Sequence, residues 1–195
     1  PVLLCPTIAP EDTEQLAADL AACGLAPVDA PMSGGPARAR DGSMSLMVAC
    51  SDTAWQRHQL VLKALSQQVF RVGTRVGDGA RTKLVNNLLA AVNLAGAAEA
   101  MALAERLGLD PAATLSVIEA SSGQSWIGSD RMRRALAGDF EPRAHVSLLA
   151  KDTGLAMQAA EDVAFEPGLG RLAKNLFAQA MAQGLQDHDD AALLK

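Results

Sequence analysis

The chain has no tyrosine, 3% aromatic residues and only three cysteines in 195 residues. With so few stacking rings and a net charge of −5, it lacks the basic, ring-studded surface that general nucleic-acid binding requires, and no nucleic-acid partner is expected. Cys5, Cys23 and Cys50 are odd in number and far apart, with no C-x-x-C. A disulfide framework and a zinc ribbon are thereby excluded, and a reducing, cytoplasmic setting is expected. His58, His145 and His188 are scattered without ligand spacing, so no metal is expected. No apolar run approaches the roughly 18–20 residues of a membrane span, and no membrane partner is expected. Pro1-Val2-Leu3-Leu4-Cys5 has no basic leader region, and an opening without Met inside an apolar run reads as a cut chain. The phosphate-loop, H-E-x-x-H and G-x-S-x-G motifs are missing as well. Gly77-x-Gly79 has Thr82 where a third glycine would complete G-x-G-x-x-G, so it is no dinucleotide fingerprint.

What is present divides near Gly77. At 49% hydrophobic and 20% charged the chain is globular, and it is long enough to bury a core without a staple. Residues 1–76 alternate short apolar runs with helical stretches, as α/β units do. Strands are expected over 2–5, 25–29, 43–50 and 69–72, with helices over 10–23 and 55–65. Pro10-Glu11-Asp12 opens the first helix and Gly24 stops it. Residues 77–195 read as all-helical: one long helix over 81–107, then helices near 110–121, 129–137, 146–164 and 168–184. The expected fold class is therefore α/β followed by all-α, the closing part of a doubly wound sheet before a helical bundle.

Four constellations could carry chemistry. In Gly77-Asp78-Gly79-Ala80-Arg81-Thr82-Lys83-Leu84-Val85-Asn86-Asn87, helical spacing puts both amides near the lysine. A position about a turn from the helix start would favour anions and depress the lysine pKa. Such a group can exchange a proton with an alcohol or carbonyl oxygen; the same residues could equally be a solvated helix face. Two adjacent asparagines are poor helix formers, so something has to hold them there. Asp29-Ala30-Pro31-Met32-Ser33-Gly34-Gly35-Pro36 reads as a strand end and turn whose amides could bind a carboxylate, or as an ordinary turn. Lys151-Asp152 sits beside the apolar Leu148, Leu149 and Leu155, where a lysine snorkels outward. Thr7 follows the first strand, at the end where doubly wound sheets bind ligands. Asp187, Asp189 and Asp190 read as a solvated acidic tail.

The order of these pieces resembles the β-hydroxyacid dehydrogenase family, which includes 3-hydroxyisobutyrate dehydrogenase and tartronate semialdehyde reductase. The resemblance rests on Thr7, Asp29-Ala30-Pro31-x-Ser33-Gly34-Gly35, Lys83-x-x-Asn86-Asn87 and Lys151-Asp152, and covers nearly the whole chain. It implies hydride transfer between a small 3-hydroxy acid and NAD or NADP, with Lys83 as the catalytic acid/base. Ser33, Gly34, Gly35, Asn86 and Asn87 are implied substrate contacts; Thr7 and Lys151 would lie near the nicotinamide, with Asp152 orienting the surroundings of Lys151. The resemblance also implies that the nucleotide fingerprint and the residue choosing NAD or NADP lie outside this chain. The chain alone is then expected to be inactive.

Two related families fit less well. The 6-phosphogluconate enzymes resemble Lys-x-x-His-Asn-Gly where this chain has Lys83-Leu84-Val85-Asn86-Asn87-Leu88. Imine reductases of similar fold lack the lysine. The stretch Ser121–Trp126 occupies the place where such proteins shape the substrate pocket, though a tryptophan there could equally anchor a core or interface. A different class of function, a non-catalytic alanine-rich helical module for dimerisation, uses the same long helix. Homodimers or homotetramers through the helical domain are expected in either case.

Overall fold

The computed structural model describes residues 1–194. Two compact units divide the chain, Pro1–Asn86 and the stretch from Asn87 onward. The first unit is a small mixed sheet with flanking helices. β1 (Val2–Leu4) leads into α1 (Pro10–Ala22), β2 (Pro27–Asp29), β3 (Met32–Ser33) and α2 (Gly35–Asp41). β4 (Ser45–Ala49), α3 (Asp52–Leu65) and β5 (Gln68–Gly73) complete it. β1 runs parallel to β2, with Val2 opposite Pro27 and Leu4 opposite Asp29. β2 and β3 lie antiparallel to β4, and β4 pairs parallel with β5. Val28, Leu46, Val48 and Leu62 form the core of this unit. Helix ends obey local chemistry: Pro10, Glu11 and Asp12 open α1, and the Ser51 hydroxyl accepts from the amide of Ala54 to cap α3.

α4 (Asp78–Arg106) follows, then α5 (Pro111–Glu119), α6 (Trp126–Leu136), α7 (Val146–Glu161) and α8 (Gly168–Ala182). A 3-10 turn over Asp190–Leu194 comes last among the described residues. Leu94, Met101, Met132, Val146 and Phe177 are fully or almost fully buried at the centre of the second unit. The expected α/β-then-all-α arrangement is what forms.

Several expectations change in detail. Residues 29–36 are more than a turn: Met32–Ser33 adds a strand beside β4, and Gly35 opens a seven-residue helix. Glycine and proline there read as loop punctuation, and a helix of two turns is too short to show a 3.6-residue period. Of the acidic tail only Asp187 is exposed. Asp189 is fully buried and Asp190 is 1% exposed, because arginines on α6 pair with both. By length and composition α4 is apolar enough to cross a membrane. Counting uninterrupted apolar runs missed this, since Asn93, Gly96 and Glu99 interrupt a mostly alanine and leucine stretch.

The long helix starts three residues earlier than its apolar pattern implies, and one carboxylate accounts for it. Asp29, at the end of β2 and 1% exposed, accepts from the backbone N–H groups of Gly77 (2.8 Å) and Ala80 (3.1 Å). A Cβ at Gly79 would lie 2.8 Å from the Asp29 carboxyl and 2.7 Å from the Met47 carbonyl, so only glycine allows this approach. Gly77 has φ +98°, the left-handed region that favours glycine. An Arg81–Glu14 ion pair at 2.9 Å ties the same turn to α1. The opening turns of α4 therefore pack with the strands, and the compact unit that holds the sheet extends to Asn86.

Asp29→Ala orphans two buried amide donors and is expected to cost about 2–4 kcal/mol in urea unfolding, with a smaller loss for Asp29→Asn. Burial raises the Asp29 carboxyl above its ordinary 3.8 more than the amides of Ala80, Gly77 and Gly79 lower it. The folded chain thus holds this proton more tightly than the unfolded chain does. The associated stability is fully present below pH 3.8 and is lost as pH rises through the raised value. The stability of the native chain relative to Asp29→Asn is expected to fall across that window.

Candidate functional site

Lys83 is the sixth residue of α4 and is 7% exposed, a rare degree of burial for an ammonium group. The sequence suggested that the positive helix terminus acts on it directly. With α4 starting at Asp78, Lys83 lies beyond the first turn, where the terminal field is strongest. Amides of that terminus already serve Asp29, so the expected anion-binding helix start is filled by the protein's own carboxylate. What distinguishes Lys83 is its burial.

The two asparagines part company. Asn86 is exposed, whereas Asn87 is 8% exposed and lies one turn beyond Lys83 on α4. Asn87 Nδ2 donates to Asp152 Oδ2 on α7. Asp152 is 5% exposed, and its other oxygen lies 2.6 Å from Lys151 Nζ. A carboxylate only accepts, so the carboxamide has to turn its NH2 toward Asp152. Its carbonyl is left to face elsewhere. A buried carboxylate is costly unless paired, and here it has both a cation and an amide. The Lys151 side chain is 45% exposed, with its Nζ turned to the buried Asp152, while Leu149, Thr153 and Ala156 carry the buried face of α7. Asn87 is thus held by a tertiary partner.

Elsewhere in the first unit, Ser33 is the last residue of β3, opposite Ser45, and is half-buried. Gly34 has φ +131°, and a Cβ there would sit 2.7 Å from Arg38 Cδ. Its missing side chain makes room for Arg38 of α2, where the sequence had suggested a ligand. Gly35 is exposed at the start of α2. Thr7 is half-buried between β1 and α1. In the second unit Trp126 opens α6 and is 45% exposed. The guanidinium of Arg131 lies 5.9 Å from its ring centre, within cation–π range. Among the described residues no group of three or more His, Cys, Asp or Glu could hold a metal ion. Sequence reasoning placed Asp29 only at a strand end and missed its capping role. No local pattern marked it, because Gly77 lies 48 positions further along the chain.

A groove of about 370 Å³ in the second unit runs along α4 and α8, between Ala95, Gly96 and Leu169, Leu172. Glu99 is its single charged lining residue, and none of the candidate residues lines it.

The family described as the NAD-binding domain of NADP-dependent 3-hydroxyisobutyrate dehydrogenase matches residues 77–195. The NAD-binding domain of 6-phosphogluconate dehydrogenase matches residues 2–73. An L-threonate dehydrogenase of Escherichia coli O6:H1 is 38% identical over 194 residues, 100% of this chain and 64% of its own length. A 3-hydroxyisobutyrate dehydrogenase of Pseudomonas aeruginosa is 38% identical over 198 residues, covering 94% of this chain and 65% of its own length. The chain therefore spans less than two thirds of these relatives. A crystal structure of a 3-hydroxyisobutyrate dehydrogenase from Salmonella typhimurium superposes with a TM-score of 0.94 at 37% identity. That match covers 99% of this chain and 68% of the other.

Asp152→Leu leaves the buried Asn87 amide without its acceptor and is expected to cost about 1–3 kcal/mol, measured by thermal or urea unfolding. Lys151→Ala, which removes a half-exposed partner, is expected to cost less than about 1 kcal/mol.

Proposed function

The chain belongs to the β-hydroxyacid dehydrogenase family, and from that premise we propose that it is the substrate-side part of an NAD(P)-dependent oxidoreductase acting on a small 3-hydroxy acid. Residues 1–76 are the closing part of the nucleotide-binding domain, and 77–195 the substrate and dimerisation domain. The observation that carries this reading is a buried lysine, one helical turn before a buried asparagine whose carboxamide is oriented by Asp152.

The nicotinamide, when bound, accepts or returns the hydride. Two features support a fit between this chain and its nicotinamide end. Thr7 follows the carboxyl end of β1 in the parallel β1–β2 pair, and the start of α1 has no side-chain cap. Lys151, beside Asp152, completes the residues assigned there. The pyrophosphate fingerprint is not in this sequence, and the cofactor is NAD or NADP.

Lys83 acts as general acid/base: it takes the hydroxyl proton as the alcohol is oxidised and returns it to the carbonyl oxygen in reduction. Asn87 holds that oxygen or the adjoining carboxylate, with Asn86 supporting. Ser33, Gly34 and Gly35 hold the carboxylate through the hydroxyl and backbone N–H groups. The relatives named for L-threonate and 3-hydroxyisobutyrate support a short, hydrophilic 3-hydroxy acid. Self-association through the helical domain, as a homodimer or homotetramer, is supported by exposed Leu89 (60%), Leu169 (67%) and Leu172 (61%). The assigned compartment is the cytoplasm.

In the full-length protein Lys83→Met is expected to lower kcat by about a thousandfold or more, with sedimentation unchanged. Turnover retained in that variant would leave the helical-module reading in its place.

A further inference from the structure

Residues following α8 lie against two helices of the second unit. Asp190 grips Arg131 of α6 at two points, Nε to Oδ1 at 2.5 Å and Nη2 to Oδ2 at 3.3 Å. Asp189 accepts from Arg134 Nη1 of α6 at 3.2 Å, and from the backbone N–H groups of Arg143 (2.8 Å) and Ala191 (3.0 Å). Both carboxylates and both guanidinium groups are buried.

The same segment serves α7. The N-cap residue His145 makes no side-chain capping bond. Instead the carbonyls of His188 and Gln186 accept from the amides of Val146 (2.9 Å) and Ser147 (3.2 Å), the first two residues of that helix. Asp190 N–H returns to the Ala144 carbonyl at 2.8 Å. The helix so held carries Lys151 and Asp152, and the arginine so held stacks on Trp126.

Buried ion pairs are poor sources of net stability, because apolar side chains of similar volume often do as well or better. What they supply is direction, since a two-point grip fixes a guanidinium plane in a way that packing alone does not.

We propose that residues 186–190 form a clasp that holds α6 at its middle and last turn and α7 at its opening turn, with Asp190 and Arg131 as positioning residues for Trp126. The cap carbonyls position the helix that carries Lys151 and Asp152. Only the kinetic consequence rests on the dehydrogenase reading; the structural one stands by itself.

The experiment uses the full-length protein in a Trp55→Phe background, which leaves Trp126 as the one tryptophan within residues 1–195. Asp190→Asn is compared with the milder Arg131→Lys, which keeps the charge and loses the two-point grip. Both variants are expected to change Trp126 emission. Hydrogen exchange at Val146 and Ser147 is expected to accelerate about tenfold or more, while Val48 in β4 keeps its protection. KM for the hydroxy acid is expected to rise about tenfold with kcat within about threefold, a split that general loss of folded protein does not produce. Folded variants with native Trp126 emission and native exchange at Val146 and Ser147 overturn the clasp. Loss of the emission and exchange signals with KM unmoved overturns its positioning of the site. If the parent protein turns over no hydroxy acid, the dehydrogenase reading fails, and emission and exchange alone decide the clasp.

Discussion

Asp29 sets where the longest helix begins. Its carboxylate, placed by β2, accepts two amides from the opening turn of α4, and Gly79 lets the helix approach the sheet closely enough for those bonds to form. The starting residue also fixes rotational phase, because each residue advances a helix by about 100°. Lys83 at 7% exposed is followed by Leu84 at 2% and Val85 at 71%. A slip of two residues would trade the buried lysine for an exposed one. Everything argued about the lysine and the asparagine one turn later depends on that phase being held.

The second unit uses buried charge in the same spirit, with different electrostatics at neighbouring positions. Burial pushes Asp190 up, and the Arg131 hydrogen bond and charge only partly offset it. Asp189 is also penalised by burial, yet the amides of Arg143 and Ala191 and the Arg134 guanidinium outweigh that, and its carboxyl lies below 3.8. The Asp189 contribution to stability is present above pH 3.8 and lost as pH falls through the lowered value. That of Asp190 is full below pH 3.8 and lost as pH rises through its raised value. The two neighbours therefore pull stability in opposite directions with pH, Asp189 below pH 3.8 and Asp190 above it.

Legibility in the sequence follows the range of the interaction. The strands and helices whose ends carry local chemistry, such as Pro10-Glu11-Asp12 at α1 and Ser51 at α3, stood where the pattern put them to within a few residues. β3 and α2 did not, because two residues of strand and seven of helix leave no period to read. Arg131 and Arg134 stand three apart beside the buried Met132 and Ala135, a spacing that marks charges on the inward face of a helix. That signal was present, but its partners lie 59 and 55 positions along the chain. An aspartate pair late in a sequence looks solvated until such partners are known.

The sequence by itself determined the change from α/β units to an all-helical stretch, the family resemblance and the candidate residues. All of these rest on neighbours a few positions apart, where backbone periodicity and side-chain spacing act directly. Only the tertiary structure decided that Asp29 starts α4, that Asn87 rather than Asn86 is held by Asp152, and that Asp189 and Asp190 are buried against arginines. In each case the deciding energy is that of a buried polar group. Whether such a group is satisfied depends on a partner dozens of residues away, which no local pattern names.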